Sequence, residues 1–178
     1  MKIALTGKMR SGKSTVAEYL SENYGFHSCA FGDTLKLFAN KLFQPRQLKD
    51  RQLYQWFGQT MRERESDIWV RHLDYAIYDL VTTGKNIVIT DLRQPNEYQY
   101  CREKGFAIIR VTCPDDIRLQ RMRQEGDLFD ETTLNHETEM YIDGFGVDFE
   151  IENGGRWLDM AEQVDVIVRN LPLIEEAM

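Results

Sequence analysis

The sequence predicts an α/β fold with a mainly parallel sheet, and two observations carry that prediction. Short apolar runs alternate with segments of helical periodicity, the order in which strands and crossover helices build a parallel sheet. The first run, Ile3-Ala4-Leu5, leads into Gly7-Lys8-Met9-Arg10-Ser11-Gly12-Lys13-Ser14, which matches G-x-x-x-x-G-K-[ST] between a strand and a helix. The length of 178 residues fits a single domain over residues 1–178.

Taken in order, residues 2–6 are short and apolar, as a strand buried on both faces requires. In the loop that follows, two glycines allow a turn that aims backbone N–H groups at an anion beside the positive end of the next helix. Lys13 then reaches the β- and γ-phosphates of a nucleoside triphosphate, the Ser14 hydroxyl ligates Mg²⁺, and Thr15 extends the polar helix start. Val16, Tyr19, Leu20 and Tyr24 share one helix face, and Gly25 stops the helix. His27 to Phe31 reads as a second strand that delivers Gly32 and Asp33 at its carboxyl end.

From Asp33 the pattern is helical, with Leu35, Phe38, Ala39, Leu42 and Phe43 on one stripe and Pro45 ending it. A further helix over about residues 49–64 carries Leu53, Trp56, Phe57 and Met61, and a third runs from near Asp67 through Val70, Leu73, Ile77 and Leu80 to Gly84. These three helices form an insertion between the second and third strands. Asn86 to Asp91 is the third strand and ends in a carboxylate at a Walker B-like position. Residues 94–104 are helical, and 107–112 form the fourth strand. Pro114 at the first helical position, with Asp115 and Asp116, opens a helix that carries Arg118, Arg121 and Arg123. Weak periodicity and many charges over 124–139 predict a flap. Residues 149–152 form the fifth strand, and Trp157 to Val168 the closing helix, with Pro172 soon after.

The balance of 22 Lys and Arg against 29 Asp and Glu, a net charge of -7, argues against a nucleic-acid polymer as partner and suits a small anionic substrate in a local basic cleft. Cys29, Cys101 and Cys113 lie in or beside apolar segments and read as reduced thiols. No apolar run approaches the length of a membrane span, and the N-terminus runs directly into the first strand. A soluble, cytoplasmic protein without a signal peptide is the expectation.

Ligands of parallel α/β sheets bind beyond the carboxyl ends of the strands, so candidate site residues are sought there. Gly7, Arg10, Ser11, Gly12, Lys13, Ser14 and Thr15 form the donor side. Asp33 is either a helix cap or a contact to an acceptor or its metal shell, and both roles are compatible. Asp91 can hold a Mg²⁺ water while Arg93 clamps a phosphate, with a salt bridge between the two as the alternative. Gln59-x-x-Arg62 and Trp69 concentrate donors and an aromatic in the insertion, although Trp56, Phe57 and Trp69 weigh toward core. Arginines at the base of a lid stabilise charge that develops on the transferring phosphoryl group. His27, His72 and His136 lack metal-ligand spacing.

The order GKMRSGKST, FGDTLK, Gln59-x-x-Arg62 with Asp67-x-Trp69, ITDLRQPNE, an arginine-bearing helix, HETE and FEIENGG resembles the phage-type deoxynucleoside monophosphate kinases to about residue 168. FGDTLK departs from that family's FADPLK pattern, in which proline follows the aspartate. Animal phosphomevalonate kinases share much of the pattern, and dephospho-coenzyme A kinases share the fold more distantly. The resemblance implies a three-layer P-loop kinase fold with a five-stranded parallel sheet, a substrate-binding helical region over 33–83 and a lid near 121–139. It implies ATP and Mg²⁺ as cofactors, with Ser14 and Asp91 on the metal side and Asn153 near the adenine. Asp33, Lys36, Arg62, Trp69, Asp91, Arg93 and Glu97 then fall in the acceptor site, and Lys13, Arg93 and one of Arg121 and Arg123 are catalytic. The implied reaction is ATP-dependent phosphorylation of a deoxynucleoside monophosphate. The alternatives are phosphomevalonate or dephospho-coenzyme A as acceptor, and a slow nucleotide-binding switch. The expected partners are small nucleotide substrates, with no nucleic-acid polymer and no membrane, and a homodimer is compatible with this reading.

Overall fold

The computed structural model describes residues 1–44, 50–124 and 141–175, with backbone alone for 51 and 172–175. Five strands form one sheet in the order β2-β3-β1-β4-β5, and every pair of neighbours is parallel. They are β1 (Lys2–Thr6), β2 (His27–Cys29), β3 (Ile87–Ile89), β4 (Ala107–Thr112) and β5 (Phe149–Glu152). Ile3 of β1 is in register with Val88 of β3, and Leu5 with Ile109 of β4. Ile3, Ala4 and Leu5 are fully buried, as the central strand of a doubly covered sheet must be.

The two faces are covered by different helices. Val16 and Leu20 of α1 (Lys13–Tyr24) meet Val164, Ile167 and Val168 of α8 (Trp157–Glu175) over one face. Burial of a side chain such as Leu20 contributes about 1.5–3 kcal/mol. Leu73 of α4 (Ile68–Ala76) and Tyr100 and Cys101 of α6 (Pro95–Glu103) cover the other face with Ile87, Ile89 and Ile108. A third cluster, Leu35, Ala39, Phe57 and Trp69, joins α2 (Phe31–Phe43), α3 (Arg51–Arg64) and α4 within the insertion. α5 (Tyr78–Thr82) returns the chain to β3, and α7 (Asp115–Gln124) follows β4. No helix of the described residues is long and apolar enough to cross a membrane.

Several features differ from the sequence expectation, and β3 is one of them, ending at Ile89, two residues before Asp91. β2 ends at Cys29 and α2 begins at Phe31, two residues before Asp33, where the Ala30 N–H donates to Asp33 Oδ2 and the Asp33 amide to the Ala30 carbonyl. Of the stripe expected on α2, Leu35 and Ala39 are buried, whereas Phe38, Leu42 and Phe43 are exposed. The third insertion helix divides at Ile77 into α4 and α5. α8 runs to Glu175, past Pro172, as its apolar stripe continues through the buried Leu171. Pro45 and the stretch 125–139 of the expected lid, HETE among it, lie outside the described residues.

Candidate active site

The loop between β1 and α1 is shaped by contacts that exclude side chains. Gly7 has φ 142° and Gly12 has φ 101°, backbone regions that glycine adopts readily. A Cβ on Gly7 would stand 2.3 Å from the Val111 carbonyl oxygen, and one on Gly12 would stand 1.7 Å from Asn153 Nδ2. Arg10 also takes a left-handed conformation, with φ 62°.

Three donors hold successive carbonyls of this loop. Arg118 donates to the Met9 carbonyl at 2.8 Å, Arg121 to the Arg10 carbonyl at 3.3 Å, and Asn153 Nδ2 to the Ser11 carbonyl at 3.0 Å. A planar trans peptide carries its N–H opposite its C=O, so carbonyls tied outward turn the next amides toward the inside of the loop. Arg121 also donates to the Asn153 carbonyl at 2.9 Å, which locks α7, β5 and the loop together. Arg118 is buried and is held in turn by Asp115 at 2.9 Å. The Lys13 Nζ donates to the Gly7 carbonyl at 2.6 Å and the Lys8 carbonyl at 3.0 Å. The Ser11 hydroxyl is buried without a hydrogen-bond partner among the described residues, whereas Ser14 is exposed.

A cleft of about 640 Å³ opens over this loop. Lys13, Ser14 and Thr15 form its floor. Lys36, Asp91 and Arg93 form one wall, and Arg121, Asn153 and Trp157 line it elsewhere. The basic side chains there make a local positive site in a chain of net charge -7, which draws anions from solution.

The carboxylates near the cleft have structural partners. Asp91 accepts from the Phe31 amide at 2.8 Å and the Gly32 amide at 2.9 Å. It thus caps the first turn of α2, where a negative charge is favoured. The Walker B-like carboxylate of the sequence reading is therefore engaged by amides through both oxygens. Asp33 accepts from the Ala30 amide and pairs with Lys36 at 3.8 Å; it is exposed and does not line the cleft. Glu97 is 3% exposed and its Oε2 accepts from the Arg93 and Gln94 amides at 3.0 Å. Its Oε1 lies 3.6 Å from Arg62. Burial first, and the charge of Asp91 second, push its carboxyl up to about 7, against the pull of the two amides and Arg62.

Trp69 and Arg123, two further expected site residues, stand outside the cleft. Trp69 is buried against Phe57 and donates its indole N–H to the Gly58 carbonyl at 3.2 Å, so its ring is core of the insertion. Arg123 is exposed and does not line the cleft, because it falls two residues beyond Arg121 on another face of α7. Asn153 lines the cleft, and one of its side-chain N–H groups donates to the P-loop. The role of Arg118 was missed from sequence, where the spacing of three from Arg121 was its one signal. Trp157 was read only as a helix start. Among the described residues no group of three or more His, Cys, Asp or Glu side chains is placed to hold a metal.

Comparison with known proteins agrees with this architecture. The AAA domain family matches residues 3–141. A protein of Acanthamoeba polyphaga mimivirus, named as a candidate deoxynucleotide monophosphate kinase, is 26% identical over 76% of this chain and 89% of its own length. The dephospho-CoA kinase of Rickettsia typhi is 24% identical over 96% of this chain and 97% of its own. Among solved structures, a Thermus thermophilus protein superposes with a TM-score of 0.64 at 22% identity, covering 94% of this chain and 95% of that one. Shikimate kinase from Acinetobacter baumannii, in complex with shikimate, superposes with a TM-score of 0.57 at 16% identity, covering 99% and 95%. Both share the fold.

Proposed function

This chain belongs to the AAA domain family, and we propose that it is a P-loop phosphotransferase that moves the γ-phosphoryl group of ATP onto a deoxynucleoside monophosphate. The products are ADP and the deoxynucleoside diphosphate. The observation that carries the reading is one cleft that joins the P-loop to a wall of Lys36 and Arg93, in which Asp91, the one carboxylate lining it among the described residues, accepts from the Phe31 and Gly32 amides. A hydroxyl acceptor needs a base within reach of its proton. A phosphate monoester has a second pKa of about 6 and is mostly dianionic at pH 7, so its own oxygen attacks without one. The likeness to the mimivirus protein supports the same acceptor class.

Under this reading the loop amides and Lys13 hold the β- and γ-phosphates, Lys36 and Arg93 hold the acceptor phosphate, and Arg121 adds charge from α7. Glu97 keeps Arg62 and the Arg93 backbone in place behind that wall. Region 33–83 serves the acceptor and 121–139 the lid. The exposed Ser14 hydroxyl at the first turn of α1 would supply one ligand to Mg²⁺, and the ion would supply charge neutralisation when bound. Aligning donor and acceptor and offsetting developing charge then account for catalysis.

The test is ADP release with Mg-ATP and a panel of deoxynucleoside and ribonucleoside monophosphates, phosphomevalonate and dephospho-coenzyme A. Rapid release that depends on a deoxynucleoside monophosphate is expected, with Lys13→Ala lowering kcat about 10²–10³-fold or more. Dephospho-coenzyme A as the sole acceptor, the activity named for the Rickettsia typhi protein, would overturn the acceptor assignment. Slow hydrolysis that no acceptor accelerates would make the chain a nucleotide switch.

A further inference from the structure

Three buried side-chain polar atoms have no hydrogen-bond partner among the described residues, Thr6 Oγ1, Ser11 Oγ and Arg110 Nε. They are neighbours in the fold. Thr6 of β1 and Arg110 of β4 are in register on adjacent strands, so their side chains share a face of the sheet. Ser11 and Arg110 line one small cavity together. Thr6 is fully buried and Ser11 is 1% exposed, and a buried polar group left unpaired costs free energy. We propose that this cavity is an anion site on the rear of the P-loop, separate from the cleft, and that it takes one small oxyanion such as inorganic phosphate or sulfate.

The cavity lies among Gly7, Lys8 and Ser11 of the loop, the carboxyl end of β4, the first turn of α7 and Asp143, and it shares no lining residue with the cleft. Its volume is about 130 Å³, and a single water needs about 10–15 Å³. The space is therefore large enough for a tetrahedral ion. Ser11 ties the cavity to the loop, because its carbonyl is held by Asn153 while its hydroxyl is unspent. An ion that accepts from that hydroxyl leaves the cleft open, so it binds alongside a nucleotide and does not replace it.

The unspent groups select the ligand. Nη1 of Arg110 donates to Glu150 at 2.6 Å and Nη2 to the Phe145 carbonyl at 2.6 Å, which fixes the guanidinium plane and leaves its Nε–H buried and unpaired. A guanidinium has donors only, and a serine hydroxyl donates as well as accepts. The carboxylates on the wall are already engaged, Asp115 with Arg118 at 2.9 Å and Asp143 with Lys8 at 3.3 Å, and both are mostly exposed. What the interior offers is a guanidinium N–H and a hydroxyl, a set that suits a negatively charged oxygen. Hydrogen bonds assisted by charge in this way are roughly twice as strong as neutral ones.

The experiment is a series of thermal melts of the full-length chain in sodium sulfate, with Mg-ADP at saturation so that the loop is occupied. Sulfate also stabilises proteins generally through exclusion from their surface, so the measured quantity is the gap in Tm between wild type and variant. Ser11→Ala removes the hydroxyl, and Arg110→Lys keeps the cation without the Nε–H. Both gaps should widen with sulfate, by roughly 5–10 °C at 100 times the Kd of the ion, whereas the gap to Lys36→Ala, a change in the cleft wall, should stay constant. Arg110→Lys should keep the rise in Tm that Mg-ADP gives, as an intact loop requires; if it does not, Ser11→Ala alone decides. Gaps to Ser11→Ala and Arg110→Lys that do not widen overturn the site and leave water as its occupant. A gap that widens for Lys36→Ala instead places the ion in the cleft, and equal widening in sodium chloride of the same ionic strength reduces the effect to screening; either result also overturns the site. The acceptor assignment is untouched by all of these outcomes and is decided by the monophosphate panel.

Discussion

Glu97 illustrates how one side chain is set by its surroundings. Its carboxyl is pushed up to about 7 by burial and by Asp91, while its oxygens hold two backbone amides and face Arg62. The folded state keeps this proton to a higher pH than an unfolded glutamate, whose pKa is about 4.3. The stabilisation is therefore complete below about pH 4.3 and is lost as pH rises through about 7. Glu97→Gln keeps an acceptor for the amides and cannot ionise, so its melting temperature should gain on that of wild type between pH 5 and pH 8. Thermal melts at the two pH values check this, and an equal difference at both would show that Glu97 does not titrate in the window. The sequence pointed to Glu97 only through its place in ITDLRQPNE. Its partner Arg62 is brought to it from the insertion by α3.

At the scale of elements, α7 acts as a brace for the P-loop. Arg118 and Arg121 each donate to a loop carbonyl, so the helix and the loop move as one body. Hydrogen bonds to charged groups contribute about 1.5–3 kcal/mol, and a domain of this size shifts its Tm by about 2–4 °C per kcal/mol. Arg118→Ala should therefore lower Tm by roughly 3–10 °C and raise the KM for ATP, because the Met9 carbonyl is no longer held outward. Calorimetry and donor kinetics on the same variant check both effects; a stable variant with unchanged donor KM would show that Arg118 does not brace the loop. The helix itself was legible from Pro114 and the acidic first turn, since both signals are local. Which of its arginines meets the loop was not, because that depends on how α7 packs across β4.

For the whole molecule, the P-loop sits where β1 is central, α1 and α8 cover one face, and Lys36, Asp91 and Arg93 on one side and Trp157 on the other flank it. Ligand binding to this junction should stabilise the entire domain. Mg-ADP at 100 times its Kd adds about 2.7 kcal/mol, a rise in Tm of roughly 5–10 °C, and Lys13→Ala should remove most of it. A melt series in Mg-ADP measures this directly; a shift that survives unchanged in Lys13→Ala would place the nucleotide elsewhere.

The sequence by itself determined the α/β class, the five strands and the phosphate loop. Those signals are carried by neighbouring residues: eight consecutive positions for the loop, runs of three to six apolar residues for the strands, and periodic stripes for the helices. The tertiary structure alone decided what the polar residues do. Asp91 caps Phe31 and Gly32 across about 60 positions of chain, Asn153 holds Ser11 across 142, and Trp69 turns into the core toward Gly58. A local pattern reports which face of an element is apolar, because hydrophobic burial needs no specific partner. A hydrogen bond needs a partner at a defined distance and angle, and only the folded chain brings that partner into place.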